Sequence, residues 1–300
     1  FAVLATSLYA KGVRQPFYEQ DSNLRSHRES DWQSDSFALV CVQCTAPASV
    51  MLDPHFTTAH GGRFDHKGKN NTIYNLLSHT NVSVNSLFMY ADFKTPSSKL
   101  VHGSFMRAAF VAVRTNASRM LHIEYRSDHS LSASVGIESV SREVAAGEAL
   151  KIDNVDISLK DRTLSVKTPE WTTTATSKVM PGIVGPSTCA TGRCIINVQL
   201  VPLFDADHAK VAPHGLIGQS WDGDDVAVHG QTDDYSHGEV TTTAMGEGAI
   251  EGVAEQYEMP SGFATDFAFS RFGSTSASPR NVSALSGVKV KRSASAVLVD

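Results

Sequence analysis

From Phe37 onwards the chain is written in short runs of β-branched and aromatic residues, interrupted by Gly, Pro, Asn, Asp or Ser. FALVCV from Phe37, SVNSLFMY from Ser83 and SFMRAAFVAV from Ser104 are such runs, and their make-up predicts strands. In VDISLKDRTLSVK, from Val155, apolar positions alternate: Ile157 and Leu159 precede a Lys160-Asp161-Arg162 turn, and Leu164 and Val166 follow it. That period of two predicts a hairpin with one buried and one wetted face. CIINVQLVPL from Cys194 reads as a more central strand. Helical periodicity is confined to AIEGVAEQY from Ala249, with Gly252 inside it. No repeat of the length used by solenoids or propellers is present. The pattern predicts an all-β fold, a two-sheet β-sandwich-like domain with one short helix and extended terminal arms.

Composition shifts set the expected boundaries. Residues 1–36 combine an apolar start, FAVLATSLYA, with a polar arm rich in Arg, Ser, Gln and Asp. The apolar start lacks a basic stretch before it and reads as a strand rather than the end of a secretion signal. The β domain is expected over 37–272. Residues 273–300 form an extended tail that becomes apolar again after Lys291-Arg292, a pair of basic residues open to processing. Apolar ends outside a domain can pair with each other, with the domain or with a neighbouring subunit.

Charge narrows the function classes. Lys and Arg number 26 against 31 Asp and Glu, a formal net charge of −5, and only 19% of residues are charged. A mildly acidic chain without a Lys/Arg run has no electrostatic hold on phosphate backbones, so nucleic acid is not an expected partner. No apolar stretch reaches the ~18 residues that a membrane-spanning helix requires. The four cysteines form two close pairs, Cys41/Cys44 and Cys189/Cys194. Two disulfides are the preferred reading; the second pair's spacing departs from a zinc pattern, and free thiols are the remaining alternative. Sequons for N-glycosylation occur at Asn70, Asn81, Asn116 and Asn281. Cysteines and sequons together point to a secreted, extracellular setting.

Candidate chemistry concentrates in His214–Ser236. Asp222, Asp224, Asp225, Asp233 and Asp234 fall within thirteen residues interleaved with glycine. Hard cations such as Ca2+ take several oxygens from flexible loops, so this stretch is either a cation loop or a solvated acidic loop. His55, His60 and His66 are close in sequence but lack a helical metal motif, and they read as surface or core histidines. Gly218-Gln219-Ser220-Trp221 begins like a nucleophile elbow, yet Asp222 stands where the second glycine belongs. Neighbouring aspartates would oppose an oxyanion, which disfavours a serine hydrolase at Ser220.

Two blocks carry a family resemblance. Asp53-Pro54-His55-Phe56, Thr58, Gly62, Phe64, Gly68, Tyr74 and Leu76-Leu77 form the first. Gly215-Leu216-Ile217-Gly218-Gln219, Asp222-Gly223-Asp224 and Asp233-Asp234-Tyr235 form the second. In this order they resemble von Willebrand factor type D domains, and PHGLIGQ is also similar to the C-terminal region of inter-alpha-trypsin inhibitor heavy chains. The resemblance implies an extracellular two-sheet domain used in assembly or adhesion. It further implies Ca2+ held by Gln219, Asp222, Asp224, Asp233 and Asp234. Two departures stand out: Ile217 replaces a family cysteine, and Ala59-His60 replaces an aspartate-bearing pair. The expected function is therefore non-enzymatic: a secreted structural protein that joins copies of itself or a matrix through its β domain and apolar ends. The alternative is a calcium-dependent module binding glycan or protein.

Overall fold

A computed structural model describes residues 47–180, 182–184 and 193–276, together with the backbone of Val288–Lys291, all within the unit Val42–Asp300. The readings placed on residues 1–46, among them Cys41 and Cys44, and those on Cys189, on Asn281 and on the apolar end after Lys291-Arg292 lie outside the described residues.

In chain order the strands begin with β1 (Ala48–Met51), β2 (His55–Thr57), β3 (Arg63–Asp65), β4 (Thr72–His79), β5 (Val82–Lys94) and β6 (Leu100–Arg114). β7 (Met120–Arg126), β8 (Ser132–Ile137), β9 (Val140–Ala145), β10 (Ala149–Ile152), β11 (Val155–Lys160) and β12 (Thr163–Lys167) follow. The set closes with β13 (Trp171–Val179), β14 (Cys194–Pro202), β15 (Val226–His229), β16 (Val240–Thr241), β17 (Glu258–Met259) and β18 (Val288–Lys291).

One sheet has the order β10-β11-β12-β13-β14-β1-β2-β3, the other β17-β4-β5-β6-β7-β8-β9, with β16 attached to the start of β6. Every pairing is antiparallel except β16 with β6. The chain is thus all-β and sandwich-like, as its alternation predicts. Phe56, Phe64, Trp171, Val198 and Leu200 from one sheet share a buried core with Leu76, Phe88, Val111 and Ile123 from the other. β5 and β6 are buried on both faces over part of their length because a second apolar layer covers their outside. There Leu87, Ala108 and Phe110 pack against Ile73 and Phe263.

The β11–β12 hairpin shows how local sequence sets register. Leu159 lies opposite Leu164 and Ile157 opposite Val166, all buried. The turn is shorter than expected: Lys160 pairs with Thr163, leaving Asp161 and Arg162 as a two-residue loop at φ 49° and 60°. Two successive left-handed residues make a type I′ turn, whose twist matches that of the strands.

β14 is interior to its sheet, as expected. Its first residue, Cys194, is fully buried and disulfide-bonded. No disulfide joins two described residues, because Cys41, Cys44 and Cys189 all fall outside them. The two expected disulfides, whose connectivity the sequence leaves open, are therefore not seen as pairs; what is seen is that Cys194 is no free thiol.

The expected helix at Ala249 is corrected. Within that segment only Ala254–Tyr257 is helical, as one 3-10 turn, because Gly252 adopts φ 67° and breaks the stretch that precedes it. Among the described residues no helix is long and apolar enough to cross a membrane.

Candidate functional site

The two motif blocks, far apart in sequence, are built onto each other. Leu216 and Ile217 donate backbone N–H bonds to the carbonyls of Asn75 and Leu76, both at 3.0 Å, and Ser78 and His214 exchange bonds in both directions. Gly215 makes this approach possible: at φ 108°, a Cβ there would lie 2.5 Å from Asn75 Oδ1 and 2.6 Å from the Leu76 carbonyl. Ile217 is fully buried, so apolar packing anchors the segment at that position.

A 3-10 turn, Gly218–Ser220, follows. Gln219 spends its side chain on structure. Its Oε1 accepts the Glu251 N–H at 2.8 Å, and its Nε2 donates to the Gly215 carbonyl and to the Tyr257 hydroxyl. Ser220 Oγ accepts the Ala59 N–H at 3.1 Å, bracing the β2–β3 turn. Trp221 packs edge-on to Trp171 with ring centroids 5.0 Å apart, and this buried pair fixes where Asp222 emerges.

Asp222 meets partners that its sequence spacing does not foretell. His60, at the tip of the β2–β3 turn, Asp207, from the segment after β14, and Asp222 each offer one ligand atom, all within 4.8 Å of one another. Among the described residues this is the one group of three or more His, Cys, Asp or Glu side chains so arranged. His60 Nε2 lies 3.1 Å from Asp207 Oδ1, and both side chains are mostly buried. The bond from Asp207 raises the His60 pKa above the ordinary imidazole value; burial opposes this, and the charges of Asp207, Asp222 and Asp224 add to it.

The other expected ligands go elsewhere. Exposed Asp224 accepts the Val226 N–H at 2.7 Å, and exposed Asp234 accepts from the Ser236 N–H and hydroxyl. Asp233 Oδ1 accepts the Thr243 and Ala244 N–H groups. The five-ligand set is therefore not gathered at one point. Asp222 joins His60 and Asp207, whereas Asp233 belongs to a second cluster.

That second cluster binds the first block to the end of the second. Asp53, 4% exposed, accepts the Ser104 N–H at 2.8 Å through Oδ1 and the Tyr235 hydroxyl at 2.9 Å through Oδ2. Asp65 takes His55 Nδ1 at 2.7 Å on one oxygen and the Asp233 N–H at 2.8 Å on the other. Burial pushes the Asp53 pKa up to about 6, against the lowering effects of Ser104, Tyr235 and His55, while the Asp233 charge adds to the rise. The His55 pKa is raised, first by its bond to Asp65. Burial, then the Asp53 charge, raises that of Tyr235.

The three neighbouring histidines thus have three different roles. His66 is fully buried between the rings of Phe56, Tyr74 and Phe88, and desolvation lowers its pKa to about 4. Of the sequon residues, Asn70 and Asn116 are exposed and Asn81 is half-buried in the β4–β5 turn. Asp207 escapes sequence reasoning because LFDADHAK carries no motif.

One imidazole and two carboxylates, from three remote segments, make a donor set for a divalent transition ion such as Zn2+ or Mn2+. Ca2+ prefers six to eight oxygens and fits the imidazole poorly. No protein-family model and no curated protein matches the chain.

Proposed function

We propose that this chain is an extracellular structural protein. Its β-sandwich joins copies of itself or a matrix, and a divalent cation held by His60, Asp207 and Asp222 locks its surface loops. The carrying observation is the convergence of these three side chains at a junction of remote segments. Such a junction gains rigidity from a cation, since an ion that binds only the folded chain stabilises it by mass action. The use of the surrounding polar groups favours structure over turnover. Ser220 braces a turn, Gln219 pins a loop, and Asp53 and Asp65 tie one block to the other. The resemblance to type D domains remains part of the proposal, with a divalent transition ion in place of the calcium that the resemblance implies.

Sedimentation velocity of the secreted full chain over a concentration series tests this reading, with Zn2+ or with chelator. The expected result is concentration-dependent association that is stronger with the ion. A single monomeric species throughout, with no retention on matrix proteins, would reject it. A second reading, a cation-bridged module for glycan or protein ligands, is favoured by exposed Asp224 and Asp225 beside the trio. It requires ligand capture that chelator abolishes.

A further inference from the structure

Turns from both sheets converge on one groove. The β4–β5 and β6–β7 turns reach it from one sheet, the β10–β11 and β12–β13 turns from the other. Loops carried by a rigid scaffold are where binding residues concentrate. The groove consists of two adjoining cavities. The first, about 260 Å³, is bordered by Asn81, Arg114, Asn116, Ser118 and Asn154. The second, about 390 Å³, is bordered by His79, Phe204, Lys210, Val211 and Thr275. Glu170 borders both. Small-molecule sites run from roughly 300 to 1,000 Å³, so the two cavities together have the size of one.

The walls are tied to each other. Asn116 donates its backbone N–H to Asn154 Oδ1 at 3.0 Å, joining turns of opposite sheets, and Arg119 pairs with Asp153 at 2.6 Å beside them. The Asn81 carbonyl accepts the Arg114 N–H and the Thr80 carbonyl the Gly273 N–H, both at 2.9 Å. Glu170 is held at three points. Its carbonyl accepts the Leu203 N–H at 2.7 Å, its N–H donates to Thr168 Oγ1 at 3.3 Å, and its Oε2 lies 3.1 Å from Nδ1 of buried His79. His79 stacks on Phe204 with ring centroids 5.3 Å apart, and its Nε2 lies 3.1 Å from the Val211 carbonyl. One carboxylate therefore stands at a set position between the two cavities.

The groups left free define the ligand. Among the described residues the side-chain amides of Asn81 and Asn116, the Ser118 hydroxyl and Glu170 Oε1 take part in no hydrogen bond, and the Arg114 guanidinium rests over the Phe272 ring without an ion pair. Amides and hydroxyls donate and accept, a guanidinium donates in a planar fork, and a carboxylate accepts on both oxygens. That mixture matches vicinal hydroxyls, each of which is donor and acceptor at once. A phosphate fits poorly, because each cavity has a single Arg or Lys and the carboxylate stands between them. Val82, Val113 and Pro169 in the first cavity, and Phe204 and Val211 in the second, offer apolar surface to C–H groups.

We propose that this groove binds a neutral saccharide of at least two units, one in each cavity, with Glu170 accepting from hydroxyls at their junction. His60, Asp207 and Asp222 border neither cavity, so binding is independent of the cation and goes beyond the assembly reading.

The test uses the full chain produced without N-glycosylation, so that Asn81 and Asn116 carry no sugar of their own. In EDTA it is titrated with cellobiose, maltose, lactose and chitobiose, and with their monosaccharides, followed by saturation-transfer NMR. The expected result is saturable binding of at least one disaccharide, tighter than that of its monosaccharide. Glu170→Gln is expected to weaken it about tenfold, and Arg114→Ala and Lys210→Ala about threefold each. Arg114 and Lys210 are exposed, so these two variants keep the fold even if Glu170→Gln loosens His79. No binding of any of the four disaccharides at millimolar concentration would overturn the proposal, and so would binding that survives all three substitutions. Binding that appears only when Zn2+ replaces EDTA would also overturn it, since such binding belongs to the cation-bridged reading. None of these results bears on assembly, which sedimentation decides.

Discussion

Replacing Asp53 by Asn probes the join between the two motif blocks. Asp53 is almost completely buried, and its pKa rises from the ordinary 3.8 to about 6, chiefly through desolvation. Below pH 3.8 the group is protonated whether the chain is folded or not, so the contribution that favours folding is fully present. Between 3.8 and 6 the folded chain keeps a proton that the unfolded chain has released, and this contribution is lost as pH rises through 6. The difference corresponds to roughly 3 kcal/mol. Asparagine keeps the acceptor for the Ser104 N–H and presents an amide donor to the Tyr235 oxygen, so the geometry survives while the charge is removed. The expected outcome is that Asp53→Asn approaches or exceeds the wild type in stability at pH 7.5, with its relative advantage vanishing near pH 4. Urea unfolding read by tryptophan fluorescence measures this, since Trp171 and Trp221 are both fully buried. The raised His55 pKa acts in the same sense, its contribution being lost as pH rises through the folded value. The two groups are coupled, since the Asp53 charge helps to raise His55 and His55 lowers Asp53, so the difference between the proteins reports Asp53 together with its part of the His55 shift. A difference that does not vary with pH, or a large loss on substitution at neutral pH, would refute the reasoning.

Three further substitutions test the packing that places the site. Gly62→Ala puts a Cβ 2.2 Å from the Val228 carbonyl and 2.6 Å from Thr58 Oγ1; a loss of about 3 kcal/mol in urea unfolding is expected, and an unchanged midpoint would contradict the close approach of β15. Arg162→Gly relieves a non-glycine residue at φ 60° in the type I′ turn and is expected to stabilise by about 0.5–1 kcal/mol in thermal unfolding. Trp221→Ala empties the buried contact with Trp171 and is expected to cost about 3–5 kcal/mol; calorimetry that finds no destabilisation would remove Trp221 as the anchor of Asp222.

Strand content is legible because the apolar period is two wherever one face is wet, and the paired residues of β11 and β12 follow from alternation alone. The turn length is not, because Asp161 and Arg162 take left-handed conformations that usually announce themselves as Asn or Gly. Apolar spacing overstates the helix at Ala249, since it matches a helical turn while Gly252 is bent out of it. For the site, the motif blocks are visible and so is their order. Sequence proximity nevertheless misleads within the acidic loop: Asp222 and Asp233 lie in one stretch but belong to different clusters. Asp207 joins His60 across 147 positions of sequence, and a contact of that separation leaves no periodic or local trace.

The central claim, that a cation locks His60, Asp207 and Asp222 into one junction, is tested most directly by isothermal titration of Zn2+ into the full chain and into the His60→Ala and Asp222→Asn variants. The account predicts saturable binding of one ion per chain, weakened strongly in both variants, and weaker binding of Ca2+ than of Zn2+ to the unsubstituted chain. Equal Zn2+ binding by all three proteins, or none by the unsubstituted chain, would contradict it.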